Sequence, residues 1–211
     1  EDIIEVSLPP KFESITEDNG IRGDTTTEGI ANLKPAFDRK YGTFTAANSS
    51  FLTDGAAATL IMTEDKALEL NLRPKSRVID FAFTGQSLDD ELLLGPAYAI
   101  PKVLQKTGLT LDEIDVFELH EAFAGQVLAV LKALESDAFA TEKLGLKHML
   151  GKIPMEKINT QGGSLSIGHP FGATGARLVT MASNKMLKQK SNYALIAACA
   201  AGAHGHAMIL E

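Results

Sequence analysis

Three short segments of the sequence set chemically capable side chains among small residues. They are His120-Glu121-Ala122-Phe123, Gly168-His169-Pro170, and Cys199 followed by Ala200-Ala201-Gly202-Ala203. An imidazole titrates near neutrality, so it can take or give a proton at physiological pH. A thiol can serve as nucleophile, acid or base once its pKa is tuned. Glycines beside such groups let backbone N–H groups approach a developing oxyanion. Each segment follows or ends an apolar stretch, and strand ends are where open α/β sheets bind ligands. The pattern points to acid–base or nucleophilic work at one end of a sheet, with His120, His169 and Cys199 expected to lie close together.

Plainer roles fit the same residues. Cys199 in an apolar run fits a buried, inert thiol. His169 between Gly168 and Pro170 fits a turn residue with one backbone hydrogen bond. His120 fits a cap at a strand–helix junction, and Glu121 a charge favoured by a helix N-terminus. Cys199, His204 and His206 are one ligand short of a zinc site and share a tight hairpin. Gly172-Ala173-Thr174-Gly175 precedes a helix that could hold a phosphate, but no G-x-G-x-x-G follows a strand and no G-K-[ST] is present.

The elements that must position these residues are legible from period and punctuation. Residues 1 to about 50 are polar and rich in Gly and Pro. They read as an excursion ordered only against something else, with a short helix around Thr27–Leu33. Ala56 to Met62 reads as a buried strand, and Thr63 as the cap of a helix running to about Leu70. Val78 to Phe83 reads as a period-2 strand with Ile79, Phe81 and Phe83 on one face. Pro101 to Lys106 reads as a helix with the proline in its first turn and Gly108 at its end. Asp115–Leu119 is a strand. Phe123, Val127, Val130, Leu131 and Leu134 keep helical spacing. Residues 136–158 read as a loop with short helical pieces, followed by a glycine-rich turn from Gly162 to Gly175. Leu178, Val179, Ala182 and Met186 then mark another helix. Ala194–Cys199 and Ala207–Leu210 read as two strands of a closing hairpin. The order argues an α/β fold, a mixed sheet covered by helices.

Composition narrows the classes. The 211 residues carry 20 Lys+Arg against 27 Asp+Glu, so the net charge of −7 excludes a nucleic-acid binder working by bulk positive charge. A hydrophobic fraction of 45% supports a packed core in one or two domains. A single Cys excludes a disulfide framework and any multi-Cys zinc site, and suits a reducing compartment. The longest apolar stretch, Tyr193 to Ala203, is too short to span a bilayer. Glu1-Asp2-Ile3-Ile4-Glu5 resembles neither a signal peptide nor a basic targeting sequence.

Several motifs, in register, carry a family resemblance. Gly162-Gly163-Ser164-Leu165-Ser166-Ile167-Gly168-His169-Pro170-Phe171-Gly172-Ala173-Thr174-Gly175-Ala176-Arg177 resembles the G-H-P signature of thiolases. His120-Glu121-Ala122-Phe123 resembles their N-E-A-F or H-E-A-F motif. Cys199-Ala200-Ala201-Gly202, with Gly205-His206-Ala207-Met208, resembles their C-terminal cysteine loop. Leu33-Lys34-Pro35-Ala36-Phe37, Gly42 to Ser50 and Asp54 to Ala58 resemble the end of the loop domain and the strand after it. The His in H-E-A-F, with Leu92-Leu93-Leu94-Gly95-Pro96, is most similar to the thiolases of the fatty-acid oxidation multienzyme, of the trifunctional β-subunit kind. Ala203-His204 departs from the family pattern, which often has a further Gly there.

The resemblance implies a thiolase fold, C-terminal half, with residues 1–54 ending the loop domain. Residues 55–75 would be the last strand and helix of the N-terminal half, and 76–211 the C-terminal domain. It implies degradative cleavage of 3-ketoacyl-CoA by CoA in β-oxidation. His169 would activate a nucleophilic cysteine, His120 would hold an oxyanion-site water, and Cys199 would move the proton on the acetyl carbon and on CoA. Ala201 N–H would serve a second oxyanion hole. Arg22 and Ser50 would line the coenzyme A site, and Phe123 would pack on the pantetheine arm. Acyl-CoA and CoA are the implied ligands, with no resident cofactor, no metal and no nucleic acid. A homo-oligomer, with a hydratase/dehydrogenase subunit as possible partner, would be cytoplasmic in a bacterium and mitochondrial in a eukaryote.

The family's nucleophile lies in the N-terminal half, and this sequence has no second Cys. A truncated chain is the expectation, ahead of a naturally split subunit, because a loop domain severed midway leaves apolar surface unpartnered. The alternatives are a short-chain acetyl-CoA C-acetyltransferase and a noncatalytic binding half that docks a hydratase/dehydrogenase partner.

Overall fold

The computed structural model describes residues 3–211, so Glu1 and Asp2 of the opening segment lie outside it. Residues 3–50 hold more order than their composition suggests. Val6–Leu8 (β1) and Glu13–Ile15 (β2) pair antiparallel as an exposed hairpin. Thr27–Ala31 (α1) follows, capped by the Thr26 side chain, within the span expected for a short helix. Glu64–Glu69 (α2) starts where Thr63 accepts from Lys66 N–H, as its residue type dictates.

The 56–62 segment corrects the expected buried strand. It has no regular structure, and Leu60 and Ile61 are 78% and 75% exposed. A strand needs a neighbour for its backbone groups. Among the described residues none is supplied; the Thr59 hydroxyl reaches only Ala176 O and the Thr180 hydroxyl on a helix.

The main sheet is built from Val78–Gly85 (β3), Val116–Leu119 (β4), Ala194–Ala200 (β5) and His204–Leu210 (β6), in the order β3-β6-β5-β4. β4 and β5 are parallel; β5–β6 and β3–β6 are antiparallel, so the sheet is mixed. Gly95–Thr107 (α3) and Ala124–Leu134 (α4) cover one face through a core of Ile100, Val103, Phe117, Val130, Leu195 and Ile209. Asp137–Lys143 (α5) follows α4, and Ser164–Ile167 (α6) is a single turn inside the glycine-rich stretch. Thr174–Gln189 (α7) covers β4 and β5 on the other face with Leu178, Ala182 and Met186.

Two boundaries differ from expectation. α3 begins six residues before Pro101, and Pro96 is the proline of its first turn. Pro101 sits inside the helix, on its buried face beside Ile100 and Val103. In β3 a register shift between Val78 and Asp80 breaks the period. Ile79 therefore packs toward the α3 core, while Phe81 and Phe83 lie on the opposite face, 47% and 64% exposed. Gly95 and Gly205 let α3 approach β6 closely: a Cβ on Gly205 would lie 2.2 Å from Gly95 O. No helix among the described residues is long and apolar enough to cross a membrane.

Candidate active site

β4 delivers His120 to the edge of the sheet. Its N–H donates to Ala197 O at 2.8 Å, carrying the ladder with β5 one residue past Leu119. The chain then turns through Glu121 and Ala122 into α4. His120 is 4% exposed, and its Nδ1 lies 2.9 Å from Ser164 Oγ on α6.

His169 arrives from the glycine-rich turn. Gly168 has φ +85°, and a Cβ there would lie 2.3 Å from Thr53 Cγ2, so only glycine fits both the backbone and the space. His169 N–H donates to Phe51 O at 3.0 Å, and Nδ1 lies 2.6 Å from Thr174 Oγ1 at the start of α7. The imidazoles of His120 and His169 stack with centroids 4.1 Å apart, and Phe171 packs on His169 at 4.8 Å. His169 opens onto a cleft of 360 Å³ lined by Leu52, Thr53, Asp54, Pro170 and Phe171.

Charge is arranged around this pair. Arg177 Nη2 donates to Ser164 Oγ at 3.1 Å, while Arg177 Nε is buried without a partner. Burial works against the Arg177 charge; Glu118, Glu121 and Asp18 offset it. Burial, then the neighbouring His169 and Arg177, push the His120 pKa down to about 4. Burial and Arg177 lower His169 as well. Both imidazoles are thus held toward the neutral form, able to accept or donate a hydrogen bond without bringing a charge.

Glu121 serves the N-terminus of α6, not that of the helix that follows it in sequence. It accepts from Asn159 Nδ2 at 2.5 Å and from Leu165 N–H at 3.1 Å, tying α6 to the His120 turn. Asn159 also donates to Leu119 O and accepts from Leu119 N–H, both at 2.8 Å, so its side chain continues the edge of β4. Below, Lys185 on α7 pairs with Glu118 on β4, the two side chains 3% and 0% exposed.

Cys199 lies near the same end of the sheet, on the interior strand β5, opposite Gly205 in the β5–β6 ladder and two residues past the carbonyl that binds His120 N–H. It is 6% exposed, and burial pushes its thiol up to about 11. Among the described residues no hydrogen bond joins the thiol to either imidazole. The structure brings the two histidines together; of the expected trio, Cys199 shares only the same end of the sheet. Ala201 is exposed in the turn after β5, where Ala203 adopts φ +56° in place of a glycine. Phe123 packs edge-to-face with Phe44 at 5.0 Å and Phe37 at 5.8 Å, and Ser50 N–H donates to Ala122 O at 2.9 Å. The 36–50 segment is thereby docked on the start of α4. Arg22 is exposed, and no described contact joins it to the imidazoles. Among the described residues no group of three or more His, Cys, Asp or Glu is placed to hold a metal.

Ser164, Arg177, Asn159 and the Lys185–Glu118 pair are site residues that spacing alone does not single out. One signal was present: Glu118 interrupts an apolar four-residue strand, and Lys185 interrupts the apolar face of α7. Two such charges buried on facing elements must pair.

Comparison with known proteins gives consistent results. Over 210 residues the chain is 57% identical to the mouse mitochondrial trifunctional enzyme subunit beta, covering all of this chain and 44% of that protein. It is 54% identical to a probable 3-ketoacyl-CoA thiolase of Caenorhabditis elegans, covering all of this chain and 47% of that one. The crystal structure of the Bacillus anthracis acetyl-CoA acetyltransferase superposes with a TM-score of 0.84 at 32% identity, over 99% of this chain and 49% of that one. The chain thus spans less than half the length of the curated relatives it matches. The fold is that of the thiolases, the α/β mixed sheet expected. The description "Thiolase, N-terminal domain" matches residues 1–65. "Thiolase, C-terminal domain" matches residues 72–211, well over half of the sequence, and on that match the chain belongs to the thiolase family.

Proposed function

We propose that this chain supplies the acid–base half of a 3-ketoacyl-CoA thiolase active site, the acyltransferase of fatty-acid β-oxidation. The observation that carries the reading is the pair of neutral imidazoles stacked 4.1 Å apart at the sheet edge. The names of the mouse and nematode relatives support the substrate class. In the reaction a cysteine thiolate, from the half of the site this chain does not contain, attacks the 3-keto carbon. The bond between C2 and C3 breaks, and its electron pair leaves as the enolate of acetyl-CoA. His169 takes the proton that generates the thiolate. His120 and His169 give hydrogen bonds to developing oxyanions, the term that commonly dominates acyl transfer. Cys199, whose thiol stays protonated at neutral pH, delivers its proton to the enolate carbon. The resulting thiolate takes the proton of incoming CoA, whose sulfur then collects the acyl group.

Ala201 N–H is the proposed donor for the second oxyanion, and Phe123, Ser50 and Arg22 are the proposed contacts for coenzyme A. CoA acts as substrate, and no resident cofactor or metal takes part. That the mouse relative is a subunit by name supports assembly with a hydratase/dehydrogenase partner and a mitochondrial setting in eukaryotes.

The test uses the full-length protein, in which this chain is joined to the nucleophile. Cys199→Ala should abolish turnover of 3-ketoacyl-CoA yet still show the acyl adduct by mass spectrometry. His169→Ala should slow adduct formation by about 10²–10⁴. Adduct at the normal rate in His169→Ala, or full turnover in Cys199→Ala, overturns the assignment.

A further inference from the structure

We propose that Ser164, held by Arg177, fixes His120 as the Nε2–H tautomer, so that His120 is a dedicated hydrogen-bond donor and His169 alone is free to act as base. Ser164 acts here as a positioning residue.

The assignment follows from counting donors. Ser164 is 0% exposed, so its hydroxyl hydrogen must find an acceptor within the protein. Two side chains meet its oxygen. Arg177 Nη2, at 3.1 Å, has only hydrogens to offer. His120 Nδ1, at 2.9 Å, can offer a hydrogen or a lone pair. If Nδ1 carried the proton, two donors would fill both lone pairs of the serine oxygen, and the serine hydrogen would have no acceptor among them. With Nδ1 bare, Ser164 accepts from Arg177 and donates to His120, so the serine hydrogen, Nδ1 and Arg177 Nη2 all have partners. The guanidinium charge also polarises the serine O–H and makes it a stronger donor. It disfavours an imidazolium one hydroxyl away, in line with the low pKa of His120. The remaining proton of the neutral ring then sits on Nε2.

His169 is not bound in this way. Its neighbour Thr174 Oγ1 has a second acceptor, Pro170 O at 3.4 Å, so the threonine hydroxyl is not committed to the imidazole. His169 Nδ1 can give its hydrogen to Thr174 and leave Nε2 bare for a proton. The two stacked rings are therefore unequal: one tautomer is locked and the other is mobile.

The functional meaning rests on the thiolase reading above, but the tautomer does not. Long-range ¹H–¹⁵N correlation spectra of the ¹⁵N-histidine-labelled chain, at pH 7, distinguish a protonated from a bare ring nitrogen. The expected spectrum shows His120 with Nε2 protonated and Nδ1 bare. Ser164→Ala should relax His120 to a mixture of tautomers, and Ser164→Thr, which keeps the hydroxyl, should restore the lock. An Nδ1–H or doubly protonated His120 in the wild-type chain overturns the proposal without any variant. So does an unchanged tautomer in Ser164→Ala; if that variant does not fold, Ser164→Cys, a weak donor of similar size, makes the same comparison. A failed thiolysis assay would leave this spectrum intact, and a wrong tautomer would leave thiolysis intact, so the two readings fail separately.

Discussion

His120 and Cys199 illustrate what burial does to a reactive side chain before any substrate arrives. An unfolded His120 takes up a proton as pH falls through about 6.5, whereas the folded one refuses it until about 4. Between those values the unfolded chain binds more protons, so stability falls as pH falls across that window. Each unit of depression is worth about 1.4 kcal/mol. His169 and His206, also lowered, act in the same direction. Glu118, raised by burial, acts oppositely, its contribution being lost as pH rises above the ordinary carboxylate value. Urea unfolding at pH 4.5 and 7 should therefore show a smaller pH dependence in His120→Asn than in the wild-type chain; equal slopes would contradict the buried neutral imidazole. Cys199 should be alkylated at pH 8 at least about a hundredfold more slowly in the native chain than in the urea-unfolded chain, because its thiol is buried and protonated. Comparable rates would mean an open, reactive thiol. At this scale the histidines were visible in the sequence because each stands beside turn residues. Ser164, 44 residues from His120, was not, because no local spacing links a serine to a ring that only tertiary folding brings within 2.9 Å.

The elements that hold these residues divide by how local their determinants are. α4 and α7 were readable because their apolar faces repeat every three to four residues, and α2 because Thr63 caps it. The face of β3 was not readable. A one-residue shift near Ile79 inverts a period of two, and nothing at that position announces a bulge. The 56–62 run departs from the expected strand for a different reason: apolar composition describes a strand that has a neighbour, and none is present among the described residues. The link between α7 and β4 is the Lys185–Glu118 pair at 2.5 Å, a charge pair in the apolar core under α7. Removing one partner strands the other charge in that core. Lys185→Met should cost about 3–5 kcal/mol in chemical denaturation, whereas Lys185→Met with Glu118→Leu should recover most of it. A double variant as unstable as the single one would mean that the pair itself, not the stranded charge, holds α7 to the sheet. At the α3–β6 crossing, Gly205→Ala has no room against Gly95 and should cost about 1–3 kcal/mol through forced separation. A melting temperature equal to wild type would show that the crossing can relax.

The whole molecule exposes more surface than its mass requires. A compact monomer of 22.5 kDa has about 9,500 Å² of accessible surface, whereas this chain has 13507 Å². The excess of about 4,000 Å² on this one chain is larger than the roughly 1,000–2,500 Å² that each partner buries in an obligate interface. It is not spread evenly. Phe81 and Phe83 lie on the sheet face that α7 leaves bare, and Leu52, Leu60 and Ile61 lie along an extended segment, each between 75% and 78% exposed. The apolar core, by contrast, is confined to the sheet and the helices from α3 to α7. Residues 75–77 tie into that body through Lys75 to Asn184, Ser76 to Ser183 and the Arg77–Glu211 pair. Local opening is easiest where backbone hydrogen bonds and buried contacts are fewest, which here is the stretch from Leu52 to Met62. Limited digestion of the native chain with chymotrypsin should therefore cut first before α2, at Leu52 or Leu60 in this stretch and at the comparably exposed Phe37 and Tyr41. It should leave a resistant fragment that begins before α2 and runs to Glu211, identified by intact mass. Early cuts within α3, α4 or α7 at a similar rate would mean that the sheet and its helices do not form a body that stands without cover over Phe81 and Phe83.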